Sequence, residues 1–331
     1  MAAPNYPPAE RAGGLMNVGR KHVDSQGNLD IFLTVTGVKV LDMARGAAQG
    51  TRRLLLGRAG SPHVTFAVAV ADRPSSESAI ESEVRTLEEL RARVSPSLSE
   101  SLPQLVAPVT VGDRPAMVLR AVAGQELESA REFLPLSQAD LDAVASWLST
   151  LWLSTGGLAA TSVLGGRAAD LLLARYVGSR HLAATLGAIH RARGRIGRLE
   201  VRRTAVHGCL CPQHTYVRDG EVTGVDDWGL GAPSGEPLRD LGGFAVRHAA
   251  SALPDVVAER TGQGLLLRDF VQCGLKILGL PADCWRDVLI LAQAEYAVDA
   301  LQHGQVDEIR LLAAAVNALP YEPGESEAAR Q

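Results

Sequence analysis

Between residues 29 and 120 apolar positions come in short runs separated by turn residues. Leu29–Thr36 alternates and is rich in β-branched residues, so it reads as a strand. Arg53–Gly57 and Val64–Ala71 read likewise, with Gly60-Ser61-Pro62 as the turn between them. The period changes over Ala79–Arg93. There Ile80, Val84, Leu87 and Leu90 recur at helical spacing and predict an amphipathic helix. Leu105–Val111 and Ala116–Val122, joined by Gly112-Asp113-Arg114-Pro115, read as a hairpin.

From Leu134 onward the pattern is mostly helical. Ser137-x-x-Asp140 is a capping-box start, and Leu141, Val144, Trp147, Leu148 and Leu151 form the apolar face behind it. Further helices are expected over about 167–192, 263–278, 284–301 and 305–318. A β insert interrupts them. Thr204–His207 is a short apolar strand, and Tyr216–Arg218 and Glu221–Val225 flank Asp219-Gly220, a two-residue hairpin signal. The expected organisation is α+β: an irregular segment over 1–28, a small β-rich N-lobe over 29–119 with one helix at about 79–93, a hinge over 120–124, and a larger helical C-lobe over 125–331. A hairpin at 204–228 carries the chemistry.

Composition narrows the function classes. The chain has 331 residues, enough for about two lobes, and 46% apolar residues, enough for a sizeable core. Its net charge of −4 gives no case for nucleic-acid binding. The longest apolar runs, Leu171–Ala174 and Leu311–Val316, fall far short of the ~20 residues that span a bilayer. Met1–Glu10 is rich in Pro and Ala and has no secretory apolar region, so the chain reads as cytoplasmic with mobile ends at 1–10 and 321–331. Cysteines 209, 211, 273 and 284 read as thiols or ligands rather than disulfides. Of 33 basic residues only Lys21, Lys39 and Lys276 are lysines.

The informative window is His207–Leu241. His207, Gly208, Leu210 and Pro212, then a hairpin, then Val225, Asp227 and Trp228, then Pro237, Asp240 and Leu241 follow the order H-G-D-L-x-P-x-N, v-D-W, p-x-x-D-L. This window resembles the catalytic region of the aminoglycoside phosphotransferase / choline kinase-like family. The resemblance implies a bilobal protein-kinase-like fold with ATP and Mg²⁺ between the lobes. It gives His207 a loop-structuring role, Asp227 a metal role and Asp240 a bracing role. It aligns Glu83 with the helix glutamate that orients a phosphate-binding lysine. The hinge, with the backbone of Arg120 and Val122, is where it places adenine.

Three positions depart from that pattern. Cys209 stands where the family has its catalytic Asp, and His214 where it has a metal-binding Asn. A thiol with an ordinary pKa of about 8.5 is mostly protonated at neutral pH, and imidazole nitrogen suits Mg²⁺ badly. Ala69 occupies the expected lysine position in Phe66–Val70, and neither Lys21 nor Lys39 has the spacing to replace it. An arginine such as Arg58 is one candidate substitute; without a cation, Glu83 reads as part of a solvated helix face. Asp226 is a spare carboxylate, expected on the opposite side of its strand from Asp227 because neighbours alternate.

Two functions follow as expectations. One is a pseudokinase that works by binding a nucleotide or a protein partner, as scaffold or activator in a bacterial biosynthetic pathway. The other is an ATP-dependent O-phosphotransferase with a rebuilt site, acting on a small-molecule hydroxyl or on Ser/Thr of a precursor peptide. His207, Cys209, Cys211 and His214 could clip a zinc ion, but the tight spacing around Pro212 argues against it. Arg191, Arg193, Arg195, Arg198, Arg202 and Arg203 form a basic cluster, either a solvated helix end or a surface for an anionic substrate or acidic peptide.

Overall fold

The computed structural model describes residues 27–45, 51–58, 64–127, 136–249, 252–302 and 307–319. The terminal segments 1–26, which include Lys21, and 320–331 lie outside the described residues.

The N-lobe is one sheet of β1 (Gly27–Asn28), β2 (Val38–Arg45), β3 (Thr51–Arg58), β4 (Val64–Ala71), β5 (Gln104–Val111) and β6 (Arg114–Arg120). Its order is β1-β5-β6-β4-β3-β2, antiparallel except where β1 meets β5. Leu56, Val68, Val70 and Val118 form its inner face.

Leu29–Thr36 is a helix, α1, and not the strand that its alternation suggests. Leu29, Phe32 and Leu33 fall at i, i+3 and i+4, and all three pack on the lobe core, with the Phe32 ring edge-on to Phe66 at 5.4 Å. Val35, the residue that alternation wanted inside, is 79% exposed. Gly37 ends the helix at φ +66° and returns its N–H to the Leu33 carbonyl. The edge strand β2 has a weak sequence signal because only Val38, at its start, reaches the lobe core, while Val40, Leu41 and Met43 are exposed.

Helix α2 (Glu77–Arg93) joins the lobes. Ile80 packs under the sheet, while Leu87 and Leu90 belong to the C-lobe core. The short α3 (Pro96–Glu100) follows, and Ser101 beyond it accepts the Trp147 indole N–H and the Val225 N–H.

In the C-lobe, β7 (Gln125–Glu126) precedes α4 (Gln138–Thr155), which starts with the expected capping box at Ser137 and Asp140. After β8 (Ala159–Thr161), the single helix expected over 167–192 is two, α5 (Gly166–Tyr176) and α6 (Ala183–Ile196). Gly178 at φ +82° breaks it. Then come β9 (Glu200–Arg202), β10 (Thr204–Val206), the hairpin β11 (Thr215–Arg218) and β12 (Glu221–Val225), and β13 (Ala232–Gly235). Asp219 and Gly220 both take positive φ, as the two-residue turn requires. The chain continues through α7 (Pro237–Ala249), α8 (Leu253–Val257), α9 (Gly262–Ile277), α10 (Trp285–Gln302) and α11 (Asp307–Ala318). Phe244 and Leu241 of α7, Leu148 and Leu151 of α4, and Leu291 of α10 are buried together in one core. Among the described residues no helix is long and apolar enough to cross a membrane.

Candidate functional site

The site lies between the lobes, where β3, α2 and the segment after β12 meet. Arg53 on β3 is its centre. Its guanidinium donates through one nitrogen, Nη2, to Glu83 Oε1 and, at 2.8 Å, to Asp227 Oδ1. All three side chains are at least nine-tenths buried. Glu83 Oε1 also accepts the Trp228 N–H at 3.2 Å, which ties α2 to the loop after β12. Glu83 is therefore not on a solvated helix face. It is 2% exposed because a cation meets it there.

That cation is neither a lysine nor Arg58, which is exposed at the strand end. Ala69 is buried on β4, and its Cα partner across the ladder is Arg53. The positive charge thus comes from the strand beside the expected one. A period-two reading could have found it: Arg53 and Leu55 share one face of β3, and both line the cleft. Lys39 is exposed on the edge strand β2, away from this centre.

Burial opposes the charge on Arg53, but the carboxylates of Glu83 and Asp227 outweigh it and hold the guanidinium protonated. Burial likewise works against Asp227, and Arg53 overcomes it, so the Asp227 carboxyl lies below its usual range. One cation cannot fully serve two carboxylates. Glu83 is pushed upward, by burial first and by Asp227 besides.

The loop between β10 and β11 is braced from α7. Asp240, fully buried, accepts the N–H groups of His207 at 2.6 Å and Gly208 at 2.8 Å. Even so, burial lifts its carboxyl to about 6. Gly208 must be glycine: it sits at φ +79°, and a Cβ there would lie 2.2 Å from the Leu230 carbonyl oxygen. The His207 ring accepts the Cys209 N–H at Nδ1, so Nε2 donates to the Asp226 carbonyl at 2.6 Å. That tautomer is neutral, and burial holds its pKa down at about 3.

Cys209 is half-buried and burial pushes its thiol up, so it stays protonated and makes a poor proton acceptor. Cys211 is buried, with its thiol raised by burial to about 12. Burial also keeps His214 neutral; its Nε2 lies 3.8 Å from Asp227 Oδ2 and its Nδ1 has no hydrogen-bond partner. Among the described residues no group of three or more His, Cys, Asp or Glu side chains is arranged to hold a metal ion.

These residues do not fit Mg²⁺. Asp227 Oδ1 faces an arginine, and the second ligand position offers nitrogen where the ion wants oxygen.

Asp226 is not on the far side of the strand. Asp227 adopts a left-handed backbone (φ 58°, ψ 58°), which breaks the alternation and leaves both carboxylates lining the cleft. Asp226 Oδ2 accepts the Tyr216 hydroxyl at 3.1 Å, and burial raises its carboxyl to about 7. The hinge residues Arg120, Ala121 and Val122 form the back wall, with the Ala121 N–H spent on the Thr65 carbonyl. Leu55, Val64, Ala67 and Leu119 add apolar surface. The cleft is partly open and leaves about 100 Å³ for water-sized groups.

No protein-family model and no curated protein matches the chain. Solved structures do. A thermostable mutant of aminoglycoside phosphotransferase APH(4)-Ia, in ternary complex with AMP-PNP and hygromycin B, is 13% identical with a TM-score of 0.58, covering 87% of this chain and 96% of that one. Macrolide 2'-phosphotransferase MphH from Brachybacterium faecium is 17% identical with a TM-score of 0.53, over 89% and 99% of the two chains. The streptomycin–ATP complex of APH(2")-IIa is 13% identical with a TM-score of 0.52, over 88% and 98%. The chain has the protein-kinase-like fold of the aminoglycoside and macrolide phosphotransferases.

Proposed function

We propose that this protein is a catalytically silent phosphotransferase-fold protein that acts by binding, as scaffold or activator of a partner enzyme in a biosynthetic pathway. The observation that carries this reading is the Arg53 guanidinium between Glu83 and Asp227. Phosphoryl transfer needs Asp227's counterpart to hold a metal and a carboxylate to take the acceptor proton. Here the first carboxylate is neutralised from within, and a protonated thiol stands at the second place. A nucleotide that does enter is held without Mg²⁺.

The test is ATP turnover with the intact chain, with and without Mg²⁺. The expected result is no phosphate release above buffer and no change on adding the metal. Turnover of about 1 s⁻¹ or more, the ordinary kinase range, overturns the reading. One observation favours the rebuilt phosphotransferase instead: Asp226 faces the cleft with a pKa of about 7, suited to a general base. If turnover is seen, Asp226→Asn must abolish it for that second reading to stand.

A further inference from the structure

A separate face of the C-lobe places aliphatic side chains in solvent beside arginines. Leu153 at the end of α4, Leu158 before β8 and Val163 after it are 74%, 88% and 58% exposed. Single exposed aliphatics need no explanation; a group set among cations does. The antiparallel pairing of β8 with β9 makes the grouping. Arg202 is the Cα partner of Ala159, and its side chain runs so close to Gly156 that a Cβ there would lie 2.8 Å from Arg202 Cδ. The Arg203 N–H donates to the Leu158 carbonyl at 3.0 Å, and the Ser162 N–H to the Leu199 carbonyl at 2.9 Å, which ties the residue before Val163 to the residue after Arg198. Arg93 reaches across from α2 and donates to the Thr155 carbonyl at 3.0 Å.

The acids nearby do not cancel this charge. Glu200 is exposed on β9, and Glu236 is engaged by Arg203 at 2.8 Å. Arg93, Arg198 and Arg202 therefore face two exposed carboxylates, Glu200 and, one turn before Arg93 on α2, Glu89, which leaves one cation in excess. The excess extends along the chain: residues 166–203 hold nine arginines against Asp170 and Glu200, a net of +7, so the remainder of a chain at −4 carries −11. Asp170 is itself taken by Arg193.

We propose that this face docks an acidic polypeptide segment that carries apolar side chains. Charge selects the acid, and the three aliphatics select a polypeptide over a phosphate backbone, which offers them nothing to bury. The proposal rests on the reading of the chain as a binding protein, but it uses no residue of the cleft.

The probe is a fluorescein-labelled 16-residue peptide of Glu, Asp, Leu and Phe, titrated by anisotropy against the full chain. Its controls are the same peptide with Gln and Asn for the acids, and a 20-base-pair DNA duplex. The acidic peptide should bind at least tenfold more tightly than its amide form, and more weakly as salt rises from 50 to 300 mM. Arg198→Glu with Arg202→Glu should cost at least tenfold, and Leu158→Ser with Val163→Ser severalfold, with melting temperatures unchanged. Arg310→Glu, at an exposed site outside the face, should cost nothing. Equal binding of the amide peptide, a double charge reversal within twofold of wild type, or tighter binding of the duplex overturns the proposal. ATP turnover measured on the same samples reports on the cleft independently of the docking face.

Discussion

Replacing Arg53 with Met removes the cation and keeps most of the stem. Two carboxylates are then left facing each other in a site where their side chains are 3% and 6% exposed. Removing one partner from a buried ion pair typically costs about 3–5 kcal/mol, because the remaining charge is neither solvated nor matched. Unfolding entropy of about 2.1 cal/mol/K per residue gives roughly 0.7 kcal/mol/K for the whole chain, so the melting temperature should fall by about 4–7 °C. The loss must also depend on pH. Without Arg53, the native pKa of Asp227 rises from below its unfolded value to above it and that of Glu83, already raised, climbs further, so the variant's deficit shrinks as pH is lowered from 8 to 5. Adding Glu83→Gln to the variant should return part of the stability by removing the like-charge contact. Differential scanning fluorimetry at pH 5, 6.5 and 8 on the three proteins makes the measurement. A melting temperature for Arg53→Met within about 1 °C of wild type at pH 8, or a deficit that grows on acidification, would refute this account of the Arg53 centre.

Three further outcomes follow from the same geometry. Asp226 has a native pKa of about 7, above its unfolded value, so the folded chain binds its proton more tightly. Wild type should lose stability relative to Asp226→Asn as pH rises from 5 to 8, by about 1–2 kcal/mol once solvent access from the cleft is allowed for; urea melts with no such slope would count against it. Asp240→Ala strands the N–H groups of His207 and Gly208 and should cost about 1–3 kcal/mol for each left unsatisfied, read as a lower urea midpoint. Gly208→Ala combines a left-handed backbone with a clash against Leu230, and should cost at least the ~1–3 kcal/mol of such strain; expression of a variant as stable as wild type would show that the loop can move aside.

The C-lobe was the more legible part of the sequence where a helix buries one stripe behind a recognisable cap, as α4 does at Ser137, although the stretch over 167–192 gave no sign of the break at Gly178. The N-lobe was harder. In Leu29–Thr36 both periods fit eight residues, and tertiary packing of Leu29 and Phe32 decided for the helix. Strand β2 carries little pattern because Val38 reaches the core but Val40, Leu41 and Met43 that follow it are exposed. At the site, the spacing of Glu83, Asp227 and Asp240 was visible in one dimension. Arg53 was not, since it is brought to Glu83 by sheet register rather than by position along the chain. The inward turn of Asp226 depends on a single left-handed residue, which residue type alone does not announce.

The cross-strand pairing of Arg53 with Ala69 also constrains how such a centre could change over time. Removing Arg53 first would leave Glu83 and Asp227 stranded, whereas a lysine installed first at position 69 would meet a second carboxylate that Arg53 alone does not fully serve. The order of replacement is therefore constrained: a new cation has to arrive before the old one leaves.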